Sequence, residues 1–372
     1  MREVLPLTSI RGLAALWVVL MHIYAPLVDN TFIYYFFRNG GQGVTFFFVL
    51  SGFILSYVYC DKFQKINWDK YCNFIHNRIA RVYPLHFTTL LICLLLYKGI
   101  SSDEIFQNLL LIQGWGVFGL NKFSCNTGAW SISVEFFLYL FFPFFIYFIN
   151  KTNKITRFIF LFSACLLFNN FTFEPLFPNL PFLVWGNEAD TLYAGKKIYF
   201  YGIYFFLGAL THLCFKDIPE GKIWDLGCII AFIMIILLFS FKIFTLESWY
   251  FRASFVPYLI LVISLCKTTG FFKNLFSRKS FVFLGEISFS IYLTHGLVLT
   301  VMLYFVPIFS ELPIFGPYIY ETIKFLSILA IIPVSAFFYY YIEKPARKFF
   351  RSHLLDSGKN SLNDLSLKPF KQ

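Results

Sequence analysis

Arg11 and His22 stand eleven residues apart in the otherwise uncharged run SIRGLAALWVVLMH. An arginine can hold an anion, and a histidine can act as a general base near neutral pH. A helix turns about 100° per residue, so eleven steps amount to roughly 1100°, or three turns plus about 20°. The two side chains therefore share one face, about 16 Å apart along the axis. Gly12 and Ala15 flank that face and permit close approach of a neighbouring helix. An arginine at a membrane boundary also works as a snorkelling anchor, so Arg11 has two readings. An ionisable group deep in a membrane segment faces the bundle interior and points to function, which singles out His22.

Other polar groups interrupt apolar runs. Glu135 lies in WSISVEFFLYLFFPFF, His295 in FLGEISFSIYLTHGLVL and Ser51 in TFFFVLSGFILSYVY. All three can converge with His22 in the middle and outer half of a membrane. Each also has a bland role as a hydrogen-bonding group between helices, and for Ser51 and His295 that role is the simpler one. In NRIARVYPLH, Arg78 and Arg81 are three residues apart and share a helical face. Such a pair either grips phosphate or anchors the cytoplasmic end of a span. The pattern suits an anionic donor that enters from the cytoplasm and reacts within the membrane. A buried histidine and glutamate equally suit the proton relay of a transporter for a lipid-linked sugar or small molecule. No His, Cys or carboxylate spacing points to a metal.

The elements that must position these groups are membrane helices. The 372 residues are 58% hydrophobic and only 14% charged, against about 25% charged in soluble domains. That excludes a soluble enzyme. The net charge of +11 belongs to cytoplasmic loops rather than to a nucleic-acid surface. The fold class expected is all-α, a polytopic membrane protein of about ten helices. They lie near residues 10–28, 40–60, 82–98, 130–149, 156–171, 197–215, 223–241, 253–266, 282–306 and 320–342. Residues 103–118 form a further amphipathic or re-entrant segment. Most of the 31 Lys and Arg residues fall in one alternating set of loops, which favours both termini in the cytoplasm. Arg11 then sits near the inner boundary and His22 past mid-depth. A loop at 172–196 carries Pro175, Pro178 and Pro181, and the first apolar run is not read as a cleaved signal. The eight cysteines form no C-x-x-C pair and read as buried thiols. Residues 1–350 form one transmembrane domain, and 351–372 a short polar cytoplasmic tail.

Taken in order, these motifs resemble acyltransferase family 3, membrane acyltransferases of bacterial surface polysaccharides. The resemblance runs from about residue 5 to 350. It rests on Arg11 to His22, on Ser51-Gly52-Phe53, and on Arg78 and Arg81 followed by VYP. It rests further on Trp130, Ser131, Ile132, Glu135 and Tyr139, on Gly285, Ser288, Ser290, Tyr292 and His295, and on Glu343, Pro345 and Arg347. Glu286, Thr294 and Phe289 depart from the usual family residues and leave a cationic role at position 286 without support.

The resemblance implies transfer of an acyl group, by default acetyl from acetyl-CoA as co-substrate, to a sugar hydroxyl, with no metal. Arg78 and Arg81 would hold the coenzyme A phosphates, and Arg11 would line the path of the pantetheine arm. His22 would be the base or a transient acyl carrier, and Glu135 would orient it or bind the acceptor. Ser51, Tyr139 and His295 would line the substrate site. The implied form is the stand-alone one, without an SGNH domain, in the inner (cytoplasmic) membrane. Its partners would be the lipid bilayer, a glycan or lipid-linked glycan acceptor and a separate periplasmic protein, with no nucleic acid.

Overall fold

The computed structural model describes residues 4–24, 32–115, 126–170, 189–240, 254–307 and 319–350. These residues are helical and contain no β-strand, apart from one isolated bridge between Gly221 and Thr268. The first helices are α1 (Leu5–Tyr24), α2 (Phe32–Arg38), α3 (Gln42–Tyr59), α4 (Trp68–Leu96), α5 (Ser102–Leu110), α6 (Ala129–Asn150) and α7 (Lys154–Asn170). They are followed by α8 (Ala189–Phe215), α9 (Trp224–Ser240), α10 (Phe255–Lys267), α11 (Phe271–Phe276), α12 (Lys279–Glu286), α13 (Ser288–Tyr304) and α14 (Ile319–Phe338).

By length and composition, five helices among the described residues can cross a membrane: Leu5–Ile23, Phe32–Tyr59, Trp68–Leu96, Ala129–Asn150 and Glu321–Phe350. The pair α12 and α13 passes the same test jointly, as one span bent by 62°. Phe200–Phe215, α9 and α10 are apolar but shorter. Large apolar side chains such as Leu95, Phe148, Ile159 and Ile233 are exposed, as hydrocarbon-facing positions require.

Four boundaries differ from the sequence reading, each for a physical reason. Helix α1 begins at Leu5, so Arg11 lies nearly two turns inside it rather than at its edge, and His22 occupies its last described turn. Helix α4 begins at Trp68, well before residue 82. Asn67 caps it by accepting from the Asp69 and Lys70 amides at 2.8 and 3.2 Å, and Pro84 lies within it. A hydropathy criterion sees only the apolar half of such a helix. The ninth expected span breaks between α12 and α13, where the Ser288 hydroxyl donates to the Gly285 carbonyl at 2.7 Å and satisfies a freed acceptor. The last helix runs to Phe350 through a π-helical turn, Tyr339–Glu343. Such turns recur at functional sites.

The amphipathic segment expected over 103–118 is shorter. Helix α5, closed at its start by a Ser101–Glu104 capping box, ends before Leu111 in the left-handed region, φ 58°. Residues 189–196 of the expected outer loop belong to α8, whereas 171–188, with the three prolines, and the tail from 351 lie outside the described residues. Of the cysteines expected as buried thiols, Cys60, Cys93, Cys214 and Cys228 are buried and free, whereas Cys266 is half-buried and Cys72 is exposed, both also free.

Glycines fix the closest helix pairs. Helices α3 and α8 form the most extensive contact. There a Cβ on Gly52 would overlap the Phe205 carbonyl oxygen, and one on Gly208 would overlap that of Val49. Helix α1 meets α12 in the same way: a Cβ on Gly12 would stand 2.7 Å from the Leu284 carbonyl carbon, and one on Gly285 would overlap the Thr8 carbonyl oxygen. The small residues beside Arg11 thus do what the sequence reading expects of them.

Candidate active site

The face of α1 that carries Arg11 and His22 is turned toward α13. Near its middle, α1, α3, α6 and α13 enclose a pocket with about 460 Å³ of empty space, including the part open to its surroundings. Arg11, Ser51, Ser131, Glu135, Ser288 and Tyr292 form its polar wall; Val44, Phe47, Phe48, Ile132 and Phe289 form the apolar one. The period of the α-helix explains the convergence. Ser131 and Glu135 are one turn apart on α6, as are Ser288 and Tyr292 on α13.

Glu135 accepts a 2.5 Å hydrogen bond from the Ser51 hydroxyl, and the Tyr139 hydroxyl lies within hydrogen-bonding reach of it. Arg11 lies in the electrostatic field of Glu135 and Glu343, which attract it, and of Arg81, which repels it. Ser131 and Tyr292 join hydroxyl to hydroxyl at 2.8 Å, tying α6 to α13. Asn126 strengthens that tie by donating to the Leu293 carbonyl at 2.8 Å. Glu135 is therefore drawn to the Arg11 end of the site. The contacts of His22 are different ones.

Toward the start of α4 the site becomes cationic. The Arg78 guanidinium lies over Tyr59, Phe74 and Tyr139, 5.7 to 5.8 Å from each ring centroid, and reaches the Tyr59 hydroxyl at 3.5 Å. Its Nε is buried without a hydrogen-bond partner among the described residues. Aromatic faces hold a guanidinium by cation–π attraction without neutralising it. Arg81 and Arg347 are close enough to repel each other, and Arg78 adds to that repulsion. Glu343 offsets it: only 1% exposed, it takes 3.0 Å and 3.4 Å bonds from Ser290 and Arg347. Among the described residues, Arg11, Arg78 and Arg81 form no ion pair within 4.0 Å. The cluster thus carries more positive than negative charge, the condition for taking up an anion.

At the other end, the rings of His22 and His295 lie 4.9 Å apart with their planes at 48°. His22 Nδ1 is 2.9 Å from the Val18 carbonyl oxygen, and His295 Nδ1 is 2.6 Å from that of Tyr292. A carbonyl only accepts, so each neutral ring carries its proton on Nδ1 and presents a lone pair on Nε2. His22 is exposed and His295 only 3% exposed.

The expected residues thus form three linked groups. Arg78 and Arg81 lie at one end, Arg11, Ser51, Glu135 and Tyr139 in the middle, and His22 with His295 at the other. In the sequence Glu343 and Arg347 belong to a motif without an assigned role; their signal is a carboxylate four residues from an arginine near the end of an apolar run. Tyr59 and Phe74, which cradle Arg78, carry no signal of their own among 53 phenylalanines and 23 tyrosines.

Residues 7–344 match the family model described as an acyltransferase domain. The chain belongs to acyltransferase family 3. Among its relatives, an acyltransferase, MdmB, of Streptomyces mycarofaciens is 33% identical over 37% of this chain and 38% of its own length. A putative acetyltransferase, ORF330, of Acidianus two-tailed virus is 25% identical over 78% of this chain and 82% of its own length. A putative O-acetyltransferase, SACOL0978, of Staphylococcus aureus (strain COL) is 24% identical over 94% of this chain. The match covers 58% of that staphylococcal protein, so this chain spans well under two thirds of two of these relatives. No solved structure matches the chain. In this family-3 acyltransferase domain, the matched span takes in every site residue named above except Arg347, three positions past its end.

Proposed function

We propose that the protein is an integral membrane O-acyltransferase of the inner membrane, with both termini in the cytoplasm. It moves acetyl from cytoplasmic acetyl-CoA to a hydroxyl of a surface polysaccharide or its lipid-linked precursor. The observation that carries this reading is the arrangement along one helix. An arginine cluster with surplus charge lies at one end of the site, a polar pocket at Arg11 follows, and His22 stands beyond it with its Nε2 lone pair available. The acyl-transferase relationship supports the reaction class, and the names of two relatives support acetyl.

Arg78 and Arg81 hold the phosphates of the donor, and the aromatic cradle of Arg78 keeps its guanidinium directed without quenching it. Arg11 and Glu135 line the pocket through which the donor's thioester arm passes. His22 Nε2 takes the proton of the acceptor hydroxyl as its oxygen bonds to the thioester carbonyl carbon. The carbon–sulfur bond then breaks, and the thiolate recovers the proton. Ser51 and Tyr139 keep the Glu135 carboxylate hydrogen-bonded and aimed into the pocket. An acceptor reaches His22 from the exposed side of its ring.

The test is transfer of labelled acetyl from acetyl-CoA to extracted glycans, using membranes that contain the full chain. Covalent acetylation that requires the protein supports the reading; uptake or export driven by a proton gradient, with no acetylated product, sinks it. Arg78→Ala and Arg81→Ala should each raise the apparent KM for acetyl-CoA about tenfold or more, since charged hydrogen bonds contribute about 1.5–3 kcal/mol. Variants that lose only protein abundance, with KM unchanged, would mark the two arginines as membrane anchors.

A further inference from the structure

His295 Nε2 is buried with no hydrogen-bond partner among the described residues. A buried polar atom left unpaired is costly, and its persistence asks for a task. Its ring is held from behind by the Tyr292 carbonyl and lies 4.9 Å from the ring of His22. The two residues come from different helices, α1 and α13, and both are turned to the same tautomer by backbone carbonyls. Two imidazoles this close cannot both be charged without strong repulsion, so the pair takes up at most one added proton, one positive charge in all.

We propose that His22 and His295 act as a one-charge dyad: His22 takes the acceptor's proton on Nε2, and its exposed ring then turns to donate that N–H to the buried lone pair of His295 until the thiolate leaves. The dyad rests on the acyltransferase reading above. The balance closes within the reaction. The acceptor O–H breaks as the O–C bond forms at the thioester carbon; the proton passes to His22 Nε2, which turns to donate it to His295 Nε2 while the imidazolium lasts. The C–S bond then breaks, and the sulfur takes the proton, returning both rings to neutrality. His295 acts through His22 and is a positioning residue, while His22 meets the substrate.

Few other charges compete for this proton among the described residues. On α13 itself, Tyr292 has its ring 5.9 Å from that of His295, and it is held by Ser131 of α6. Glu135 of α6 lies beyond Tyr292 and is engaged by Ser51. Helix α3 presents Phe47 to Tyr292, and α14 presents Ser335 to Thr294. Arg11 is about 16 Å down the axis of α1.

The test compares His295→Asn and His295→Gln with the unaltered chain in the acetyl-transfer assay, normalised to folded protein. The amide of Asn can replace Nδ1 as donor to the Tyr292 carbonyl, whereas neither amide can hold a proton. Both variants should lower kcat by about 100-fold, the low end for acid–base groups, with the KM for acetyl-CoA unchanged. Wild-type kcat in His295→Asn would overturn the dyad and leave His295 a structural tie. Transfer absent from the unaltered chain would instead fail the acyltransferase reading itself, and the dyad with it.

Discussion

His22→Ala is expected to reduce acetyl transfer by about 10²–10⁴-fold, the range for removal of a positioned acid–base group. The loss should appear in kcat, because Arg11 lies about three turns away along α1 and Arg78 and Arg81, proposed to hold the donor phosphates, belong to α4. Folding should be little affected. His22 is exposed, and among the described residues its hydrogen bond is to a carbonyl within its own helix. Surface substitutions of this kind stay within about 0.5 kcal/mol. The measurement is the initial rate with labelled acetyl-CoA at saturating donor, beside the amount of folded protein recovered. Activity within a few-fold of the unaltered chain would remove His22 from the chemistry and leave the acceptor proton without an assigned base. If His22 instead carried the acyl group covalently, a labelled protein intermediate would build up when the acceptor is withheld.

The second large effect concerns the frame. Gly52→Leu and Gly208→Leu should each remove most of the folded protein. At both positions the added carbon meets backbone carbonyl oxygen of the facing helix, Phe205 for Gly52 and Val49 for Gly208. A crowded side chain can change rotamer, but a carbonyl can yield only if α3 and α8 move apart. Overpacking in a well-packed core already costs about 1–3 kcal/mol when side chains can adjust, and separation of two helices adds to that. Ser51 lies next to Gly52 on α3, so the same movement would pull its hydroxyl from Glu135. Gly202→Ala is the matched control. Its new carbon would lie 3.3 Å from the Leu138 Cδ2 atom, the far end of a flexible side chain, and should be tolerated. Yield and thermal stability of detergent-solubilised protein decide the matter; a Gly52→Leu chain that melts with the unaltered one would show that α3 and α8 have slack.

How much of this was legible beforehand varies by residue. Arg11 and His22 share a face because the helix period fixes it, and the structure turns that face to α13. Gly12 was readable as a contact residue because small residues in apolar helices have few other uses. The start of α4 was not readable by hydropathy, since its first three turns are polar, yet Arg78 and Arg81 had to be helical neighbours for their spacing to matter. Glu135 was read beside His22 because both are intramembrane ionisable groups. Its actual neighbours, Arg11, Ser51 and Tyr139, depend on how far α6 is shifted along α1, and no local pattern encodes that shift. His295 was read as the weaker functional candidate, because a lone histidine in an apolar helix is usually a satisfied core residue. Only its unpaired Nε2, next to a second imidazole, alters that reading.

The class of molecule, most of its helical elements and the polar residues that interrupt them are legible in the amino-acid sequence. Composition decides the solvent a chain can tolerate, and the 3.6-residue period decides which side chains within one helix face together. The tertiary structure alone decided the groupings across helices: the Tyr59, Phe74 and Tyr139 cradle around Arg78, Glu343 beneath the arginines, and His295 behind His22. Those partners are far apart in the chain. Their meeting is fixed by interhelical glycine contacts, by a 62° break and by a π-helical turn, features that set the offset and rotation of one helix against another.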